Sequence, residues 1–292
     1  MGEQVSGTAA TTSFLIVTGV VLFAGVLHAT WNAIAHGLDD KLVTFAWLSS
    51  MYVVIGGLLV PFVARPAPAA WPFLLASAAM HVVYNVLLMW AYRLGDFNQA
   101  YPLARGTSPW VVAIVSALVI GERMPLPATI GVAVVSAGLA SLVFAGGLPR
   151  RREIPALAAA FGTGLAIATY TLLDGVGVRL SHSVPGYTGW LFLIQGPAIP
   201  LAGLCLRGRG LLRSMRGIWH LGIAGGVIAI AAYGLVLWAQ TQGALAAVAA
   251  LRETGVITGA IIGAVVFHER FGRVRTLATV VVVAGIVLLQ VR

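Results

Sequence analysis

Charge is what this 292-residue chain has least of. Asp, Glu, Lys and Arg make up 9% of it, against about 25% in an ordinary soluble domain. Too few charges remain to clothe a surface in water. Cysteine is nearly absent as well: Cys205 stands alone, which excludes an intramolecular disulfide. Enzyme signatures are missing. There is no Gly-x-Ser-x-Gly elbow, no phosphate-cradling Walker loop and no His-Glu-x-x-His, since His268-Glu269 lacks the second histidine. No His/Cys cluster supplies convergent metal ligands. We therefore expect no enzyme, no catalytic residue, no metal and no cofactor. Without a nucleotide site, any movement of solute must draw on a solute or ion gradient.

Apolar residues fill the space that charge leaves, 59% of the chain against about 45–50% typically, and mean hydropathy is +0.95. Ten apolar stretches of about 20 residues can be read, each long enough to cross a roughly 30 Å hydrocarbon core as a helix. They cover approximately residues 14–36, 42–64, 70–92, 97–120, 128–145, 155–174, 184–206, 217–240, 244–267 and 275–291. None alternates as a barrel strand would. Residues 17–27 have the length of a signal-peptide core, but no Lys or Arg precedes them, so they read as an uncleaved first helix. The fold class is all-α and integral to a membrane, with the bilayer as its constant partner. In a soluble protein a net charge of +9 would suggest nucleic acid. Here the arginines sit mostly in short loops, where they set topology, and no nucleic-acid partner is expected. Of the loop arginines and lysine, 12 lie in the odd-numbered loops and 4 on the other side. That places the odd-numbered loops in the cytoplasm and both termini outside.

Two arginines interrupt this apolar pattern: Arg105 in Ala104-Arg105-Gly106-Thr107, and Arg252 in Leu251-Arg252-Glu253-Thr254. Each is the ninth residue of its segment, about 12 Å in at 1.5 Å per residue. The separation from Arg105 to Arg252 is 147 positions, and the separation from Glu122-Arg123 to Glu269-Arg270 is 147 again. Trp90-Ala91 and Gly95 echo Trp238-Ala239 and Gly243, and His28-Ala-Thr-Trp31 echoes Ile167-Ala-Thr-Tyr170. The chain reads as one unit written twice, residues 1–149 and 150–292, joined by the short basic stretch 146–153. Five helices is an odd number, so the second copy enters the membrane from the opposite side. The expectation is ten transmembrane helices as a 5+5 inverted repeat, an arrangement common in secondary transporters.

These features resemble the drug/metabolite transporter superfamily, and within it the ten-helix EamA-type transporters. The resemblance rests on Gly95, Pro109, the Leu-Val-Ile-Gly121-Glu122-Arg123 ending, Gly131 and the second Glu269-Arg270 ending. It spans essentially the whole chain. It implies a 5+5 inverted repeat around a central pocket lined by helices 1, 3, 4, 6, 8 and 9, and cytoplasmic termini, against the charge count. In a bacterium such a protein belongs in the cytoplasmic (inner) membrane, as a monomer or homodimer.

An arginine inside a membrane segment costs about 2.5–3.5 kcal/mol on insertion scales, so Arg105 and Arg252 should face protein or water. Their planar donors suit carboxylate or phosphate, which suggests an anionic or zwitterionic small solute. The structural alternative is that Arg105 or Arg252 pairs with Glu253 or Asp174 and locks helices. Glu253 is a candidate for proton coupling or, alternatively, the neutraliser of an arginine. Asp174, at the end of its stretch, reads as interfacial. His28 and His81 are candidates for proton coupling, or interior hydrogen-bonders. Trp31, Asn32, Tyr84, Tyr101, Tyr170, Tyr233 and Trp238, with Asn85 and Gln195, would supply the walls and polar points of a solute pocket. Gly255, Gly259 and Gly263 form a stripe fit for close helix packing. The leading expectation is a secondary active transporter working by alternating access. Two further readings stand beside it: a proton-coupled exporter of hydrophobic cations using Glu253, and a lipid-headgroup flippase.

Overall fold

A computed structural model describes residues 2–94, 97–141, 151–266 and 273–290. Every regular element among them is helical. The elements are α1 (Gly2–Gly37), α2 (Lys41–Leu59), α3 (Trp71–Leu94), α4 (Phe97–Val115), α5 (Leu126–Ser141), α6 (Ile154–Ser181), α7 (Val184–Gln195), α8 (Ala198–Arg207), α9 (Arg209–Gly217), α10 (Trp219–Gln240), α11 (Leu245–Arg252), α12 (Gly255–Val266) and α13 (Arg273–Gln290). Seven helices among the described residues are long and apolar enough to cross a membrane, and Leu126–Ser141 and Thr276–Leu289 are shorter apolar helices. The chain is an integral multi-pass membrane protein. Its apolar side chains point outward as well as inward: Phe62 is 87% exposed and Leu118 81%. In water that would be an aggregation hazard; against lipid it is the required surface.

Three expected features come out differently. The stretch 184–206 is two helices, because Gly196-Pro197 interrupts it between α7 and α8. The stretch 244–267 is also two, because Glu253 and Thr254 form tight turns back to Ala250 and Leu251. The basic stretch 207–216, expected as a loop, is the amphipathic helix α9. It buries Leu211 and Met215, one turn apart, and leaves its arginines outside. By contrast, α4 runs through Arg105, Pro102 and Pro109 and widens into a π-helical turn at Ser116–Ile120. The Glu269-Arg270 ending, Gly95 and most of the joint between the halves lie outside the described residues.

Packing ties one half of the chain to the other. α3 and α4 lie along α6, while α10 and α12 lie along α1; α2 packs on α7 and α8, and α5 on α13. Backbones come very close where glycines meet. A Cβ at Gly255 would stand 2.5 Å from the Gly25 carbonyl oxygen, and one at Gly131 would stand 2.8 Å from that of Gly285. The glycine stripe of α12 is narrower than expected, because no described atom lies within 4 Å of a Cβ built at Gly259.

The ends of α10 mark two ends of the bundle. At its start, Asp40 caps α2 through Val43 N–H and pairs with Arg207, while Lys41 Nζ donates to the last carbonyls of α1, at 2.8 Å to His36. Trp47 Nε1 donates to the Met215 carbonyl at 2.8 Å, fastening α9 to α2. At the other end of α10 a second set of contacts gathers around Arg179.

Candidate functional site

The interior holds a pocket between helices of both halves. Its walls are aromatic: Trp31 from α1, Tyr52 from α2, His81 and Tyr84 from α3, Tyr170 from α6, Phe192 from α7 and Tyr233 from α10. His81 stacks on Tyr170 with ring centroids 4.0 Å apart and meets Tyr233 edge-on at 5.2 Å. Tyr84 meets Tyr170 edge-on at 5.5 Å, and Tyr52 stacks on Phe192 at 5.0 Å. These rings fix one another, so the walls are stiff. His28 lies in the same pocket and accepts from Trp31 Nε1 at 3.2 Å. The polar points are Ser49, Asn85 and Gln195. Gln195 is 6% exposed, and its amide oxygen has no hydrogen-bond partner among the described residues. A buried acceptor left open is costly, and here it faces a cavity.

Arg105, Arg252 and Glu253 come together behind this pocket. Arg105 Nη1 lies 3.2 Å from Glu253 Oε1 and 3.1 Å from Oε2. Arg252 reaches Glu253 Oε1 through Nε and Nη2, each at 3.2 Å. All three side chains are buried, Glu253 completely. Local sequence makes this possible. The interruption after Arg252 brings Glu253 round at the end of α11, and Gly25 leaves room for that turn: a Cβ there would lie 3.2 Å from the Arg252 carbonyl oxygen. Gly106 and Gly164 let α5 and α6 close on α4 around Arg105; a Cβ at Gly164 would lie 2.7 Å from the Ala104 carbonyl oxygen. Two guanidiniums on one carboxylate leave the cluster with one formal positive charge. It does not line the pocket, but both arginines act electrostatically on His28 and on Tyr170 in the pocket wall.

Of the other residues singled out from the sequence, Trp31, Tyr84, Tyr170, Tyr233, His28 and His81 line the pocket. Asn32 is buried beside it and spends its amide on the His28 carbonyl at 2.8 Å. Trp238 packs against a separate apolar cluster with Val236 and Leu251. The side chain of Tyr101 lies outside the described residues. Asp174 corrects an expectation: α6 continues past it to Ser181, and its carboxylate is fully buried rather than interfacial. It accepts the hydroxyls of Tyr187, at 2.9 Å, and of Tyr233.

Sequence reasoning missed one cluster altogether. Arg179 Nη1 pairs with Glu122 at 2.7 Å, and its other nitrogens donate to the carbonyls of Gln240, at 2.8 Å, and Gly243, at 2.7 Å. Glu122 also accepts the backbone N–H of Leu245 at 2.9 Å, at the start of α11. This latch joins the ends of three segments. The Glu122 signature was legible, but its partner lies 57 positions away with no local pattern to announce it.

Known proteins give the following. Residues 154–291 match the sequence model of the EamA-like transporter family. No curated protein matches the chain. Among solved structures, 29 chains match. One, described only as "Crystal structure of protein", has a TM-score of 0.72 at 18% identity and covers 93% of this chain and 97% of its own. At that identity the likeness is one of fold.

Proposed function

We propose that this chain, whose residues 154–291 match the EamA-like transporter family of the drug/metabolite transporter superfamily, is a gradient-driven secondary transporter of a small polar solute, anionic or zwitterionic. The observation that carries the reading is the pocket itself. Stiff aromatic walls drawn from both halves enclose the open acceptor of Gln195, and a buried cluster of net positive charge stands behind His28 and Tyr170. The Gln195 oxygen suits an N–H or O–H of the solute, and the field of the arginine cluster favours a negative group nearby. Tyr and Trp faces accommodate its apolar body.

Alternating access would follow from a 5+5 inverted repeat in the membrane that houses the protein, the bacterial cytoplasmic membrane. The pairing of elements supports this arrangement. The packing of α3 on α6 is answered by α10 on α1, and that of α4 on α6 by α12 on α1, while α2 with α7 and α5 with α13 join each element to its counterpart. Rocking of one half against the other would then expose the pocket to each side in turn.

Export of hydrophobic cations is the second reading, and the aromatic walls favour it through cation–π attraction. Glu253 fits poorly as its exchanging acid, because two guanidiniums already hold it. A thermal-stability screen of purified protein with amino acids, organic acids, phosphonates, sugars and quaternary amines separates the two, since a ligand that binds only the folded state raises its melting temperature. We expect stabilisation by anions or zwitterions, abolished in Gln195→Leu. Stabilisation by quaternary amines that survives Gln195→Leu would move the assignment to cations. No stabilisation by any member would count against a small-solute pocket.

A further inference from the structure

Asp174 is used by nothing described so far, and its surroundings are unusual. The carboxylate is completely buried within α6, one turn beyond the pocket residue Tyr170. Burying an ionised carboxylate is costly unless a cation and further hydrogen bonds compensate it. Among the described residues no Lys or Arg forms an ion pair with it. The nearest arginine in its own helix, Arg179, is committed to Glu122 and two carbonyls. Arg105 and Arg252 are committed to Glu253. What faces Asp174 is neutral or titratable. Tyr187 of α7 donates to one oxygen and Tyr233 of α10 to the other. From α3, Ser77 and His81 act on the carboxylate electrostatically, while the His81 ring itself is held through Nδ1 by Ser77 at 3.0–3.2 Å. Tyr170 packs against both His81 and Tyr233.

A carboxyl group in this setting has two workable states. Neutral, it avoids the cost of buried charge. Ionised, it is supported by two hydroxyl donors already in place. The switch between them is tied to the solute pocket, because Tyr233 and His81 are at once partners of Asp174 and walls of the pocket.

We propose that Asp174 is a proton-binding site built into the pocket wall, with Tyr233 and His81 transmitting between proton and solute. On release, the carboxyl O–H bond breaks and the proton passes to water admitted to the pocket. The carboxylate left behind keeps the Tyr187 and Tyr233 hydrogen bonds. Coupling of that proton to transport rests on the transporter reading above, but the proton site does not.

Infrared difference spectroscopy of the purified protein, titrated in pH without any solute, tests it. The expected result is a protonated-carboxyl band that titrates reversibly, vanishes in Asp174→Asn and persists when Glu253→Gln and Arg105→Gln are made together. Tyr233→Phe keeps the carboxyl and removes one donor to its ionised form, so the titration should move to higher pH. This variant carries the test if Asp174→Asn does not fold. A titrating band that survives Asp174→Asn or disappears in the Glu253→Gln, Arg105→Gln double variant, the absence of any titrating band, or an unmoved titration in Tyr233→Phe would each overturn the proposal. None of these outcomes bears on the ligand screen, which reads solute binding alone, so failure of one proposal is distinguishable from failure of the other.

Discussion

Glu253 answers two arginines where one would balance it, and that imbalance makes it the most consequential side chain for stability. Removing one partner of a buried ion pair typically costs about 3–5 kcal/mol, because a buried charge is left uncompensated. Glu253→Gln leaves two guanidiniums facing each other inside the protein. It should lower the melting temperature of detergent-purified protein sharply, and adding Arg105→Gln should recover part of the loss. If Glu253→Gln melts like the wild type, the cluster is not what holds α4 to α11. A second carboxylate predicts a pH effect. Burial raises the affinity of Asp40 for its proton, but the hydrogen bond from Arg207, the Val43 N–H and the Arg207 charge outweigh this and hold its pKa below the ordinary 3.8. A group depressed in this way stabilises the folded state above its unfolded pKa. The contribution is lost as pH falls from about 3.8 through the folded value. Asp40 is substantially exposed, so the effect is small. Melting curves of the wild type should lose stability over that acid window more steeply than those of Asp40→Asn.

Among the elements, α1 and the junction of α11 and α12 are set by a single close approach. Gly25 and Gly255 meet backbone to backbone, and a Cβ on Gly255 would fall 2.5 Å from a carbonyl oxygen that cannot swing away. Gly255→Ala should therefore destabilise the protein, whereas Gly259→Ala should be neutral, as thermal unfolding would report. Equal effects at the two positions would contradict the packing. Which parts of such elements sequence alone can reveal has a physical reason. Apolar length is a property of the chain itself, so seven of the ten expected spans stand among the described residues as membrane-crossing helices, and Asp40 and Lys41 were legible as punctuation between α1 and α2. Breaks inside apolar runs are another matter. Gly196-Pro197 and Glu253-Thr254 do not lower the hydrophobicity enough to show, and the turns depend on what packs beside them. The four arginines of 207–216 masked the spacing of Leu211 and Met215, one helical turn apart and enough to fold α9 onto α2. Asp174 was misplaced because the helix does not stop there: Arg179 remains within α6 and satisfies its charge at the rim.

For the whole molecule, the repeat distance of 147 positions pointed to Arg105 and Arg252 together, and the two do meet on one carboxylate. Of the rings that line the pocket, Trp31, Tyr84, Tyr170 and Tyr233 were singled out from the sequence and Tyr52 and Phe192 were not, while Trp238 and the amide of Asn32 turn elsewhere. The latch of Arg179 was not legible, because cross-chain partners leave no local trace. It also predicts behaviour. On a Cys205→Ser background carrying Gly243→Cys, Arg179→Gln should speed modification of the new thiol, since the ends of α4, α6 and α10 lose their clasp. Unchanged rates would show that other contacts close this end. Cys205 itself, exposed at the end of α8 beside the densest cluster of arginines, reports orientation. By the charge count, a membrane-impermeant thiol reagent should label it from the cytoplasmic side only. Labelling from outside would place the termini in the cytoplasm instead.

The cluster of two guanidiniums and one carboxylate has an electrical consequence. Carrying one elementary charge fully across a membrane held at 100 mV involves about 2.3 kcal/mol of work. The cluster bears one net positive charge and straddles α4 and α11, which belong to different halves of the chain. If those halves rock, the charge shifts through part of the field. Turnover would then depend on membrane voltage even for a solute with no net charge, and the protein would itself contribute a gating current.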